Sequence, residues 1–132
     1  MHALIIEDEV IMALAIEDVL RECGFNSFDV AGTAQSAIGA AARRRPDLIT
    51  SDVRLEAGCG IDAIQAIGQS SPIPVVFITG HEADVARRLP THLVLNKPFS
   101  ERDLISAGAS AMLEIGGSNP LMSELRDKSV EK

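Results

Sequence analysis

Glu7-Asp8-Glu9, Asp52, Thr79 and Lys97 are the residues of this sequence whose types and placement suit chemistry. Each lies at or just past the end of a short apolar run: Leu4-Ile5-Ile6, Leu48-Ile49-Thr50-Ser51, Val75-Val76-Phe77-Ile78 and Leu93-Val94-Leu95. A short apolar run that stops at a polar residue reads as a buried parallel strand emerging into a loop. The polar residues therefore gather at the carboxyl ends of strands, the edge at which open α/β sheets bind ligands. Carboxylates a few ångströms apart repel by about 4 kcal/mol per pair at an effective dielectric of about 20, so such a cluster needs a cation. Mg²⁺ fits best: it is a hard ion that takes oxygen ligands, and no His or Cys stands among these acids to select a softer metal. Lys97 supplies further positive charge.

The elements that must position these groups follow from periodicity. Met12, Ile16, Val19, Leu20 and Cys23 recur at helical spacing with Glu17, Asp18, Arg21 and Glu22 on the other face, and Gly24 closes that helix. Phe28-Asp29-Val30-Ala31 is only moderately apolar and suits an edge strand; Thr33 caps an Ala-rich helix that runs to Arg43-Arg44-Arg45 and ends at Pro46. A loop with Gly58 and Gly60 precedes a helix carrying Ile61, Ile64 and Ile67. Glu82 to Leu89 allows only a short fourth helix before Pro90, expected to be mobile and to need packing support. Ser100 and Asp103 resemble a capping box opening the last helix, which should fade near Gly116-Gly117. Strands and helices alternating in this way give an α/β, doubly wound, five-stranded parallel sheet covered on both faces. Periodicity does not fix the strand order. The expected division is a domain over 1–116 and a polar C-terminal tail over 117–132.

With 132 residues, 46% hydrophobic and 23% charged, the chain reads as one globular domain. A formal charge of −7 repels a phosphate backbone, and the lack of Trp and Tyr removes a stacking platform, so no direct nucleic-acid binding is expected. No stretch has the roughly 20 apolar residues of a membrane span and Met1-His2-Ala3 lacks a basic signal-peptide start, so no membrane association and a cytoplasmic location are expected. Cys23 and Cys59 show no metal-ligand spacing and are expected to be ordinary reduced residues. His2, His81 and His92 are expected at the surface.

Glu7-Asp8-Glu9, Asp52, Thr79 and Lys97-Pro98-Phe99 are weak signals singly and specific together, and on them residues 3 to 115 resemble a response-regulator receiver (CheY-like) domain. The resemblance implies the flavodoxin-like strand order 2-1-3-4-5, with strands one and three adjacent so that Asp8 and Asp52 face each other. It implies Asp52 as phosphoacceptor, with Asp8, Asp52 and the Arg54 carbonyl ligating Mg²⁺ and Glu7 acting through water. It further implies that Thr79 and Lys97 bind phosphoryl oxygens and that the Lys97–Pro98 peptide is cis. The implied partners are a sensor histidine kinase or phosphotransfer protein, a downstream protein target, and a second copy through the face of the fourth and fifth helices. The domain would assist its own phosphorylation and lose the group slowly, as a two-component signalling protein or as a phosphate sink.

Phe77-Ile78-Thr79-Gly80-His81 is similar to the Phe-Ala-Thr-Gly-Tyr motif of short alphaproteobacterial receivers, which also lack the strand-five aromatic replaced here by Val94. The interval from Thr79 to Lys97, 97 − 79 = 18 residues, is short and agrees with a reduced fourth helix; Glu56 stands where the family has a proline.

Singly, Asp52 reads as a solvated loop carboxylate, Thr79 as a helix cap and Lys97 as a side chain reaching out from a strand. A small Mg²⁺-dependent phosphohydrolase with Asp52 as nucleophile is the rival from another class, and Arg54, where a second Asp is expected, counts against it. A pseudo-receiver that only binds is a third reading. His81, two residues past Thr79, is placed to touch a water attacking an aspartyl phosphate.

Overall fold

The computed structural model describes residues 1–69 and 71–115. Five parallel strands, β1 (His2–Ile6), β2 (Ser27–Ala31), β3 (Leu48–Ser51), β4 (Val75–Thr79) and β5 (Leu93–Asn96), form one sheet in the order β2-β1-β3-β4-β5. Helices α1 (Val10–Glu22), α2 (Ala34–Arg43), α3 (Gly60–Ile67), α4 (Glu82–Arg88) and α5 (Glu101–Ile115) make the crossovers. The architecture is the flavodoxin-like one that the receiver resemblance implies. The tail expected over 117–132 lies outside the described residues.

Each central strand is buried on both faces, which is why its residues form an apolar run rather than an alternation. In β1, Ala3 and Ile5 face a core completed by Ala13, Ile16 and Leu20 of α1 and by Leu104, Ile105 and Met112 of α5. Leu4 and Ile6 face the opposite core, with Ala37 and Ala40 of α2, Ile61 and Ile64 of α3, and Val85 of α4. The small residues of α2 let it lie close to the sheet, and the Thr33 hydroxyl accepts from the Ser36 N–H at 3.0 Å to start the helix. Gly24, with φ +100, lets the chain leave α1. At the start of α5 the Asp103 N–H donates to Ser100 Oγ at 3.0 Å, so half of the expected capping box is present.

The short α4 has the support it needs. Val85 is fully buried, and Arg88 donates to Asp62 Oδ1 (2.5 Å) and Gln65 Oε1 (3.1 Å) of α3. Glu82 and Asp84 in its first turn and Arg87 and Arg88 in its last oppose the helix dipole.

The expectation of surface histidines fails for His2, which is only 3% exposed, because β1 begins at His2 rather than Leu4. His92 is also drawn in: its ring meets Phe77 in a tilted contact with centroids 5.9 Å apart, and its Nδ1 is buried without a partner. Burial holds the His92 pKa below its ordinary 6.5, only partly opposed by Glu114 of α5. The unfolded chain then binds more protons in this range, so the contribution of neutral His92 to stability is present above about pH 6.5 and is lost as pH falls through the lower folded value. Urea titrations from pH 5 to 7 should show stability rising with pH more steeply in the native protein than in His92→Gln.

Gly60 marks a close approach of chains. A Cβ there would lie 1.8 Å from the Asp52 carbonyl oxygen, and the Gly60 N–H donates to the Val53 carbonyl at 2.7 Å. Gly60→Ala should cost about 3 kcal/mol or more, the upper range for overpacking, because the obstruction is backbone. The urea midpoint reads that loss directly.

Candidate phosphoryl-acceptor site

The β2-β1-β3 order makes β1 and β3 neighbours, and their register pairs Ile6 with Ser51, so the chain delivers Glu7 and Asp52 side by side. Backbone bonds fix both: the Glu7 N–H donates to the Ala31 carbonyl and the Asp52 N–H to the Ile6 carbonyl, each at 2.9 Å. On the other side, β4 pairs with β5 through Thr79 and Asn96, and the Lys97 N–H donates to the Thr79 carbonyl at 3.1 Å. Lys97–Pro98 is cis, as the resemblance implies. Segments far apart in the chain thus meet on one edge of the sheet.

Lys97 Nζ is 2.9 Å from Glu7 Oε1 and 2.9 Å from Asp52 Oδ2, and 3.6 Å from Glu9 Oε1. The other Asp52 oxygen, Oδ1, accepts from the Val53 N–H at 2.7 Å, so the carboxylate is held at both ends. Glu7 Oε2 accepts from the Glu9 N–H at 3.2 Å. Glu7 and Asp52 are buried, at 3% and 8% exposure, whereas Asp8 and Glu9 stand in solvent at the mouth. Burial pushes the Glu7 pKa up despite the Lys97 hydrogen bond. Burial pulls on Lys97 in the opposite sense, but its hydrogen bonds to Asp52 and Glu7 prevail and keep its ammonium firmly protonated.

Carboxylate oxygens of Glu7, Asp8, Glu9 and Asp52 all lie within 4.8 Å of one another. Four carboxylates against one ammonium leave three negative charges uncompensated when all are ionised, and the donors are all hard oxygens, so the residues fit a divalent cation such as Mg²⁺. Glu9 is the member that motif reading left without a role; its signal was its place in an acidic triplet just before α1. Arg54, proposed to offer its backbone carbonyl, is exposed in the loop after Asp52 and bridges to Cys59. Thr79 is fully buried at the end of β4, and its Oγ1 accepts from the His81 N–H at 3.0 Å. His81 itself is half-buried, in a recess of about 220 Å³ with Arg54, Glu82 and Asp84.

The arrangement presents two buried carboxylates, Asp52 and Glu7, each oriented by a backbone N–H and the Lys97 ammonium, beside the acidic oxygens of Asp8 and Glu9 that open to solvent. An oriented carboxylate next to a fixed ammonium can attack an electrophilic phosphorus, because the ammonium offsets charge on an equatorial oxygen.

Comparison with known proteins agrees with the geometry. The family profile described as "Response regulator receiver domain" matches residues 3–108. The transcriptional regulatory protein PdtaR of Mycobacterium tuberculosis is 35% identical over 110 residues, 80% of this chain and 54% of that protein. The phyllosphere-induced regulator PhyR of Methylorubrum extorquens is 31% identical over 113 residues, 83% of this chain and 42% of that protein. This chain thus spans about half the length of these curated relatives. Among solved structures, the receiver domain of Erythrobacter litoralis PhyR superposes with a TM-score of 0.76 at 32% identity, covering 89% of this chain and 92% of that one.

Proposed function

The chain belongs to the response regulator receiver domains, and from that premise we propose that it accepts a phosphoryl group on Asp52 from a phosphohistidine of a sensor kinase or phosphotransfer protein. The observation that carries this reading is the contact of Lys97 Nζ with both Asp52 Oδ2 and Glu7 Oε1 at 2.9 Å, in a cluster of carboxylates that needs one more cation. Asp8, Asp52 and the Arg54 carbonyl, with Glu7 acting through water and Glu9 beside them in the cluster, would hold Mg²⁺. When bound, that ion supplies charge to offset the phosphoryl oxygens.

The chain's own residues do the rest. The Val53 N–H fixes the Asp52 carboxylate for attack on phosphorus, and the bond from phosphorus to the donor imidazole breaks as the acyl phosphate forms. Lys97 moves from a carboxylate oxygen of Asp52 to a phosphoryl oxygen, remaining charged throughout. Thr79 turns its hydroxyl from the His81 N–H toward the new group and carries the change into α4 and β5. His81 borders the route of the water that later hydrolyses the acyl phosphate.

The exposed apolar residues Val10, Ile11 and Leu14 of α1, immediately after Glu7-Asp8-Glu9, offer a surface on which a phosphodonor protein would rest. Relatives named as a transcriptional regulatory protein and as an anti-anti-sigma factor extend beyond the part matched here. The output of this chain is read accordingly as contact with a protein target, or as drainage of phosphate from a shared kinase, in the cytoplasm. Residues 1–116 form the receiver unit in this proposal.

Incubation with acetyl phosphate and Mg²⁺ should give one acid-stable, alkali-labile phosphoryl group per chain, and excess EDTA should reduce labelling by about 10²-fold or more. Steady hydrolysis of a phosphomonoester without stoichiometric label would instead support the phosphohydrolase.

A further inference from the structure

At the opposite ends of β1 and β2 from the acidic rim, about 16 Å away along β1, lies a second constellation that phosphoryl transfer does not use. The sheet register pairs His2 with Ser27. His2 Nδ1 is 2.8 Å from Ser27 Oγ, and His2 Nε2 is 3.0 Å from Asp29 Oδ2. The His2 backbone is pinned as well: its N–H donates to Asp47 Oδ2 and its carbonyl accepts from the Asp47 N–H, each at 2.7 Å. The ring is 4% exposed, so its orientation is set by packing and by Asp29 rather than by solvent.

The proton assignment follows from the partners. A carboxylate only accepts, so Nε2 carries a hydrogen, and in the neutral ring Nδ1 is left to accept from the Ser27 hydroxyl. Arg44 Nη1 donates to the same Ser27 Oγ at 2.7 Å. A hydroxyl that gives its proton to an imidazole oriented by a carboxylate, with a guanidinium on its oxygen, has the parts of an activated nucleophile: hydroxyl, base, orienter and a donor for developing negative charge. Ser27 is half-buried and lies on the edge strand β2.

We propose that Ser27 is an activated serine that takes the acyl group of small carboxylic esters, with His2 as base and Asp29 as its positioning residue. Ser27 Oγ bonds to the carbonyl carbon as its proton passes to His2 Nδ1, and Arg44 donates to the carbonyl oxygen as it becomes negative. The bond from that carbon to the ester oxygen then breaks, and the alcohol leaves with the proton from His2. Water, deprotonated by the same ring, releases the carboxylic acid and restores Ser27.

Two probes test this on the intact chain: p-nitrophenyl acetate and an alkyl fluorophosphonate, which loses fluoride as Ser27 Oγ bonds to phosphorus. Peptide mass mapping should find the phosphonate on Ser27, formed at least about tenfold faster than on exposed Ser36 of the same chain, and nitrophenol release should show an acylation burst. Both should vanish in Ser27→Ala. Asp29→Asn should slow Ser27 labelling about tenfold and Asp29→Glu should restore most of it. An unmodified Ser27 in the native protein, or labelling spread equally over Ser27 and Ser36, overturns the proposal whatever the variants do. Because His2→Gln removes a buried group and can unfold the chain, Asp29→Asn is the deciding variant, and a rate unchanged by it also overturns the proposal.

Discussion

Asp52→Asn is expected to reduce phosphoryl labelling from a small donor to background while leaving the fold intact. An amide nitrogen or oxygen is a far poorer nucleophile than a carboxylate, and among the described residues the two acids buried with both oxygens held are Asp52 and Glu7. Burial pushes the Glu7 pKa up despite its contact with Lys97, which disfavours its ionised, nucleophilic form. Asp8 and Glu9 are exposed and lack that orientation. The substitution is nearly isosteric, so the Val53 N–H keeps an oxygen acceptor, and Lys97 keeps its 2.9 Å contact with Glu7. One charge fewer in a crowded acidic cluster also relieves repulsion, so the urea midpoint of Asp52→Asn should equal or exceed that of the native protein. Phosphate counting and urea denaturation on the same preparation separate lost chemistry from lost structure.

Lys97→Met is expected to strike both chemistry and stability. The ammonium is the fixed cation against Asp52 and Glu7 and comes within 3.6 Å of Glu9, while its side chain is only 19% exposed. Removing one partner from a largely buried ion pair leaves uncompensated charge and costs about 3–5 kcal/mol; partial exposure of the lysine brings the expectation to about 2–4. Transfer should slow by about 10²–10³-fold, the usual cost of deleting one charged donor from a phosphoryl or oxyanion site. The two effects separate with added Mg²⁺: a divalent ion among the carboxylates should recover part of the stability but not the transfer rate, because it cannot replace the lysine at its own phosphoryl oxygen. Transfer and urea midpoint measured across a Mg²⁺ series test this.

Much of the site was legible because the sheet is parallel. A strand buried on both faces must be an apolar run, and whatever ends the run is placed on a common edge; Ile6-Glu7, Ser51-Asp52 and Ile78-Thr79 show that rule at work. The strand order was not legible from periodicity, since neighbours in a parallel sheet are set by non-local pairing, and it came from the resemblance of the motifs. The grip of Lys97 on two carboxylates lies beyond local pattern for the same reason: the partners are 45 and 90 residues away in sequence. Motif reading gave Lys97 to the phosphoryl group; in the structure it bridges Asp52 and Glu7 and so already opposes the charge of the buried acids. His2 was misplaced because an isolated histidine next to a chain start reads as surface, whereas Ser27, Asp29 and Asp47 satisfy all its polar groups and allow it to begin β1.

Val94 occupies the strand-five position where an aromatic is usual, and in the structure it packs in the core formed with α2, α3 and α4. Rotation of a large ring is therefore not available to carry the signal. What remains between Thr79 and the outer face is α4 itself, anchored by Val85 and by the Arg88 contacts with Asp62 and Gln65. In the proposed function, a pull on Thr79 acts on this short helix and shifts α4 relative to α3.

Asp52 is the proposed phosphoryl acceptor. Borohydride reduction of the protein after reaction with acetyl phosphate and Mg²⁺ converts an aspartyl phosphate to homoserine, which peptide mass spectrometry locates. Homoserine is expected at position 52 and at no other acidic residue; reduction at Glu7, Asp8 or Glu9, or none in fully folded, Mg²⁺-saturated protein, would exclude Asp52 as the acceptor.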